Sequence, residues 1–126
     1  MSPKSAIPAV EKARLIVEAL EDKKAVDPVV IDVRGRTVMM EFLVVASGTS
    51  KIQIRALADS VISKLADNGV KNKKVAGTEE GVWVLLDYGD VVVHILSPEQ
   101  REFYRLEAYW SGAEKGSPPM LSSDEV

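Results

Sequence analysis

Few residues in this chain can do chemistry, and most of them fall in one run. His94 is the only histidine, and the segment ending on it also carries Trp83, Asp87 and Asp90. Asp87 and Asp90 flank Tyr88-Gly89. If they oppose one another across a turn, they repel and invite a cation, either a partner's Arg or Lys or a metal ion; the other reading is that they cap the turn. With a single imidazole, a two-histidine metal site cannot be assembled within one subunit, and His94 reads first as a packed ring beside Trp83. A second polar concentration, Gly48-Thr49-Ser50, precedes a stretch of helical periodicity. A helix start at Thr49 and Ser50 is a candidate anion site, through its free N–H groups; the plainer reading is a well-capped helix. The absence of cysteine removes disulfides, thiol nucleophiles and Cys-ligated zinc together.

The 126 residues suit one domain with one hydrophobic core. A composition of 46% hydrophobic and 28% charged residues is ordinary for a globular protein. No apolar stretch has membrane-spanning length, and the N-terminus shows neither a signal-peptide core nor a transit pattern, so a cytoplasmic protein is expected. A net charge of -3 gives no global attraction to phosphate backbones, which leaves RNA contact to a local basic patch.

The elements that must position these residues follow from pattern. Met1 to Ile7 carries no periodicity and reads as a loose end, and residues 1–8 as a flexible N-terminus. Pro8 suits a helix start, with Val10, Ala13, Val17 and Leu20 repeating at helical spacing to about Lys23. Asp27-Pro28 breaks that helix. Val29 to Val33 reads as a strand, Arg34-Gly35-Arg36 as a turn, and Val38 to Ala46 as a second strand paired with the first. Ser50 with Gln53 forms a capping box for a helix carrying Ile54, Leu57, Ala58, Val61, Ile62 and Leu65, and Gly69 suits its end. A short strand around Val75 and a polar turn over Gly77 to Gly81 lead into the Trp83 strand. Ser97-Pro98-Glu99-Gln100 opens a last helix with Phe103, Leu106 and Trp110 on one face, read as core. Residues 113–126 are small, Pro-containing and polar, and read as a disordered tail, which leaves 9–112 as the domain. This order gives an α/β fold: a single domain whose mixed β-sheet is flanked by helices.

The pivotal element is the hairpin. Two apolar runs, Val82 to Leu86 and Val91 to Leu96, are joined by Asp87-Tyr88-Gly89-Asp90. A two-residue loop at Tyr88-Gly89 would oppose Asp87 to Asp90, Leu85 to Val92 and Trp83 to His94. Alternation then sorts the side chains. Val82, Val84, Leu86, Val91, Val93 and Ile95 form an aliphatic face for packing under helices. Trp83, Leu85, Asp87, Asp90, Val92 and His94 form a mixed face. Such a face fits a protein-binding patch with a Trp anchor and a charged rim, or a Trp–His pair beneath a covering helix.

The residues match a known family at this point. Gly48-Thr49-Ser50 followed by Gln53 and Arg55, then Gly77, then Trp83 through His94, then Arg101, Tyr104, Leu106-Glu107 and Trp110, closely resembles the ribosomal silencing factors (Iojap-like), from about Ala9 to Ala113. The resemblance implies a nucleotidyltransferase-like topology without the catalytic carboxylates, no enzymatic activity, no cofactor or metal, and a homodimer when free. It implies binding to ribosomal protein fourteen of the large subunit on the intersubunit face. That would block small-subunit joining and lower translation when nutrients are scarce, with a further link to large-subunit maturation. Trp83 is the first interface position it suggests. Three departures stand out: Glu41-Phe42 where Asp precedes an aromatic in the family, Ala76-Gly77 in place of Glu-Gly, and Leu96 in place of an aromatic.

Two other classes compete. A nucleotidyltransferase needs a carboxylate pair alternating on the strand after the Ser50 helix, and Val70-Lys71-Asn72-Lys73-Lys74-Val75 has none. Arg34, Arg36, Lys51, Arg55, Lys64, Lys71, Lys73 and Lys74, gathered at one end, would give a peripheral ribosomal RNA contact; the alternative is solvated loop charge. Tyr104 and Glu107 lie off the last helix's apolar stripe, where Tyr104 can border the mixed face.

Overall fold

The computed structural model describes residues 7–72 and 74–111. The expected tail at 113–126 and the loose end before Ile7 lie outside the described residues. Ile7 itself was expected in that loose end, but it packs against the core.

The chain runs α1 (Ala9–Asp22), β1 (Val26–Asp32), β2 (Phe42–Ser47), α2 (Lys51–Asp67), β3 (Lys74–Ala76), β4 (Trp83–Asp87), β5 (Val91–Leu96), α3 (Pro98–Tyr104) and α4 (Leu106–Ser111). The five strands form one mixed sheet in the order β1-β2-β5-β4-β3. Only β2 and β5 run parallel, because α2 and the β3–β4 pair intervene between them and carry the chain back.

Alternation along the strands builds two cores. Phe42, Val44, Ala46, Val84, Leu86, Val91, Val93 and Ile95 face α1 and α2, burying Ile16, Leu20, Ile54, Leu57, Val61 and Leu65. The opposite face buries Leu43, Val45 and Leu96 beneath Leu106 and Trp110 of α4. α4 lies near β1 and α3 reaches β4 at Trp83 through Tyr104, so among the described residues the β3 side of this second face is the less covered one.

Four expectations are corrected. On α1 the buried stripe is Ala9, Ala13, Ile16 and Leu20, and Val10 is 63% exposed, so the core-facing side is rotated from the expected one. Asp27-Pro28 lies inside β1, at a bulge between Val26 and Val29 with Asp27 at φ 53°. Because β1 is an edge strand, the missing Pro28 N–H leaves no ladder partner unserved. The second strand begins at Phe42 and not at Val38, which is fully exposed; the expected turn at Arg34-Gly35-Arg36 is present, the Arg36 N–H donating to Val33 O at 2.9 Å, but it sits inside a longer connection that the Val33 N–H closes by donating to Glu41 O at 3.0 Å. The last helix is two: Arg105 takes left-handed φ 53°, ψ 46°, and α4 starts afresh. Leu106 and Trp110 are then core, whereas Phe103, expected there, is 73% exposed.

Candidate functional site

The hairpin's register decides the site. Its pairs are Trp83 with Leu96, Val84 with Ile95, Leu85 with His94, Leu86 with Val93 and Asp87 with Val92. The Tyr88 N–H donates to Val91 O at 2.9 Å, so the loop is Gly89-Asp90, one residue further along than Tyr88-Gly89. Two causes favour this slip. Gly89 at φ 88° takes the left-handed place, and the Tyr88 ring is buried on the aliphatic face instead of standing in solvent.

A one-residue slip of the loop moves every partner by two, so the faces are unchanged while the opposed pairs are not. Asp87 and Asp90 therefore do not oppose one another. Asp90 leaves the mixed face: its Oδ1 accepts from Lys12 Nζ of α1 at 2.9 Å, on the other side of the sheet. Asp87 stays, accepting from the Gly89 N–H at 2.7 Å. The repelling pair that would call for a cation does not exist.

Trp83 and His94 meet as diagonal neighbours. The Trp83 Nε1–H donates to His94 Nδ1 at 2.9 Å. An indole N–H only donates, so Nδ1 is the acceptor and the neutral ring carries its proton on Nε2. His94 is 1% exposed, and burial pulls its pKa down to about 4. The ring is therefore neutral at physiological pH, which the Trp83 bond requires. Tyr104 rests on the other side of Trp83, with centroids 5.0 Å apart, and Phe103 stands edge-on to Tyr104 at 4.8 Å. An aromatic series thus runs from the buried His94 to the exposed Phe103.

Beside it lies a groove of about 280 Å³ lined by Lys74, Ala76, Gly77, Trp83, Leu85, Asp87 and His94. β3 supplies one wall because Lys74 pairs with Asp87 and Ala76 with Leu85. Of the candidate residues, Trp83, Leu85, Asp87 and His94 line this groove, and Tyr104 borders it through Trp83. Val92 shares the face but packs toward the α4 core. Sequence reasoning missed Lys74 and Ala76, whose run gave a strand but not its neighbour, and Phe103, whose helical spacing imitated core.

The other candidate centres are internally occupied. Ser50 Oγ accepts from the Gln53 N–H at 3.0 Å, and Gln53 Oε1 accepts from the Thr49 N–H at 2.7 Å. These are bonds of a capped helix, and they leave neither of those N–H groups for an anion. The basic residues do not all gather at one end: Arg34 and Arg36 precede β2 and Lys74 opens β3 at the same end of the sheet, whereas Lys51 and Arg55 follow β2 at the other. Arg34 and Lys64 are paired with Asp32 and Glu18. Lys73 lies outside the described residues. Among the described residues, no group of three His, Asp or Glu side chains is placed to hold a metal ion. None of their helices is long and apolar enough to cross a membrane.

Comparison with known proteins fits this arrangement. The family described as "Ribosomal silencing factor during starvation" matches residues 6–125. The chain belongs to the ribosomal silencing factor family. The silencing factor of Chromobacterium violaceum is 44% identical over 102 residues, 81% of this chain and 84% of that protein. The chloroplastic Iojap protein of Zea mays is 40% identical over 101 residues, 78% of this chain and 42% of that longer protein. A crystal structure of a Chromobacterium violaceum protein superposes with a TM-score of 0.82 at 40% identity, covering 94% of this chain and 98% of that one. For a ribosomal silencing factor, the half-covered sheet face at Trp83 is the feature to explain.

Proposed function

We propose that this silencing factor represses translation by docking its Trp83 groove onto large-subunit ribosomal protein fourteen, so that its bulk blocks joining of the small subunit under nutrient limitation. The observation that carries this reading is the state of Trp83. Its N–H is already satisfied by His94 and one side of the ring carries Tyr104, yet the ring stays partly exposed beside the groove. A large, rigid ring fixed by a neighbour is a pre-ordered anchor of the kind that dominates protein interfaces. Leu85 and Ala76 extend the apolar centre, Tyr104 and Phe103 flank it, and Asp87 and Lys74 supply a charged rim.

On this reading the protein acts by occupying a surface in the cytoplasm, without catalysis. The reading includes a homodimer away from ribosomes and a contribution to large-subunit maturation. The test is co-sedimentation with separated ribosomal subunits. The wild-type chain is expected with the large subunit only, and Trp83→Ala is expected to lose about 2 kcal/mol or more of affinity while staying folded. A folded Trp83→Ala that sediments at wild-type affinity refutes the groove.

A further inference from the structure

Arg55 lies on the far side of the sheet from the groove, yet it holds one of the groove's walls. From the second turn of α2 its Nε donates to Thr78 O at 2.9 Å, and its Nη2 donates to Glu79 O. Both carbonyls belong to the loop between β3 and β4. The Gly81 N–H donates to Gly77 O at 3.1 Å and closes that loop on itself. The loop also lies directly on α2, since a Cβ at Gly81 would come within 3.1 Å of Lys51 Cβ and 3.3 Å of Arg55 Nε.

At its other end the loop bears on Trp83. A Cβ at Gly77 would stand 2.0 Å from Trp83 O, so the backbone there packs against the first residue of β4, and Gly77 itself lines the groove. Gly77 at φ 86° and Gly81 at φ 69° give this connection its shape. Arg55 thus fixes two consecutive carbonyls, the carbonyls fix the loop, and the loop fixes the Trp83 backbone. A planar guanidinium with donors at fixed angles suits two adjacent carbonyls in a way that a single ammonium does not.

We propose that Arg55 is a positioning residue for partner binding: it sets the Trp83 wall of the groove through the 77–81 loop and does not itself touch the partner. This rests on the groove being the docking site, so the test needs one arm that is independent of ribosomes. With 5-fluorotryptophan incorporated, the Trp83 and Trp110 fluorine signals can be followed separately in the intact chain. Arg55→Ala is expected to shift or broaden the Trp83 signal and leave Trp110 unchanged, with Arg55→Lys restoring it only in part. An unchanged Trp83 signal overturns the proposal even if ribosome binding is lost.

The second arm is a double-mutant cycle on large-subunit affinity. Arg55→Ala is expected to weaken binding several-fold in the wild-type background and to have little further effect in a Trp83→Ala background. Additive losses would mean that Arg55 meets the partner directly and would overturn the positioning role. Should the wild-type chain fail to bind large subunits, the docking reading falls while the fluorine arm still decides whether Arg55 sets Trp83.

Discussion

His94 and the two aspartates carry most of what can be tested one side chain at a time. The folded imidazole takes a proton only near pH 4, whereas the unfolded one does so at its ordinary 6.5. The unfolded state therefore binds more protons between these values. Stability is undiminished by this group above pH 6.5 and falls as pH drops from 6.5 toward 4, by about 3 kcal/mol in all. Urea unfolding at stepped pH, compared with His94→Gln, is expected to show that slope in the wild type and its loss in the variant. The aspartates separate by salt dependence. Asp87→Ala is expected to weaken large-subunit binding and flatten its dependence on salt, because Asp87 lines the groove. Asp90→Ala is expected to cost about 1 kcal/mol of stability through Lys12 and to leave the salt slope alone, which isothermal binding at several salt concentrations would show. From sequence these two carboxylates were indistinguishable. Either two-residue loop keeps the same faces, and only the burial of Tyr88 and the positive φ of Gly89 choose between them.

At the level of elements, capping chemistry was readable and backbone exceptions were not. Ser50 and Ser97 cap α2 and α3 as their spacing to Gln53 and Gln100 implies, and Gly69 ends α2 at φ 80°. The break at Arg105 has no such signal, since nothing in Phe103-Tyr104-Arg105-Leu106 marks a stop. Tertiary packing imposes it: Tyr104 must lie on Trp83 while Leu106 and Trp110 enter the core beside Leu43 and Val45. Arg101 holds this junction. Its five N–H groups are all used, on both Glu107 carboxylate oxygens, Val26 O, Asp27 O and Ser47 Oγ, which joins β1, β2, α3 and α4. It was visible in sequence only as part of a family pattern. Arg101→Ala is expected to cost about 3 kcal/mol, with Arg101→Lys recovering little of it, as read by chemical denaturation. A loss below about 1 kcal/mol would show that the junction is held by the α4 core alone.

At the level of the whole molecule, fold class followed from the order of periodic segments, and alternation sorted the hairpin into an aliphatic and a mixed face without deciding whether a helix covers the mixed one. What pattern cannot supply is which strands become neighbours. Lys74 and Ala76 enter the groove because β3 pairs antiparallel with β4, and Phe103 is left in solvent against Tyr104 because α3 and α4 part at Arg105. The resulting molecule has one well-covered sheet face and one whose β4–β3 end offers an aromatic anchor among apolar and charged neighbours. On the proposed reading the domain silences by occupying a surface that the small subunit must reach. The most direct test is light scattering during association of purified small and large subunits. Wild-type protein, pre-bound to large subunits, is expected to suppress the association signal in proportion to occupancy, and folded Trp83→Ala at the same concentration is expected to leave it intact. Undiminished subunit joining at full occupancy by the wild-type chain would contradict steric silencing through the Trp83 groove.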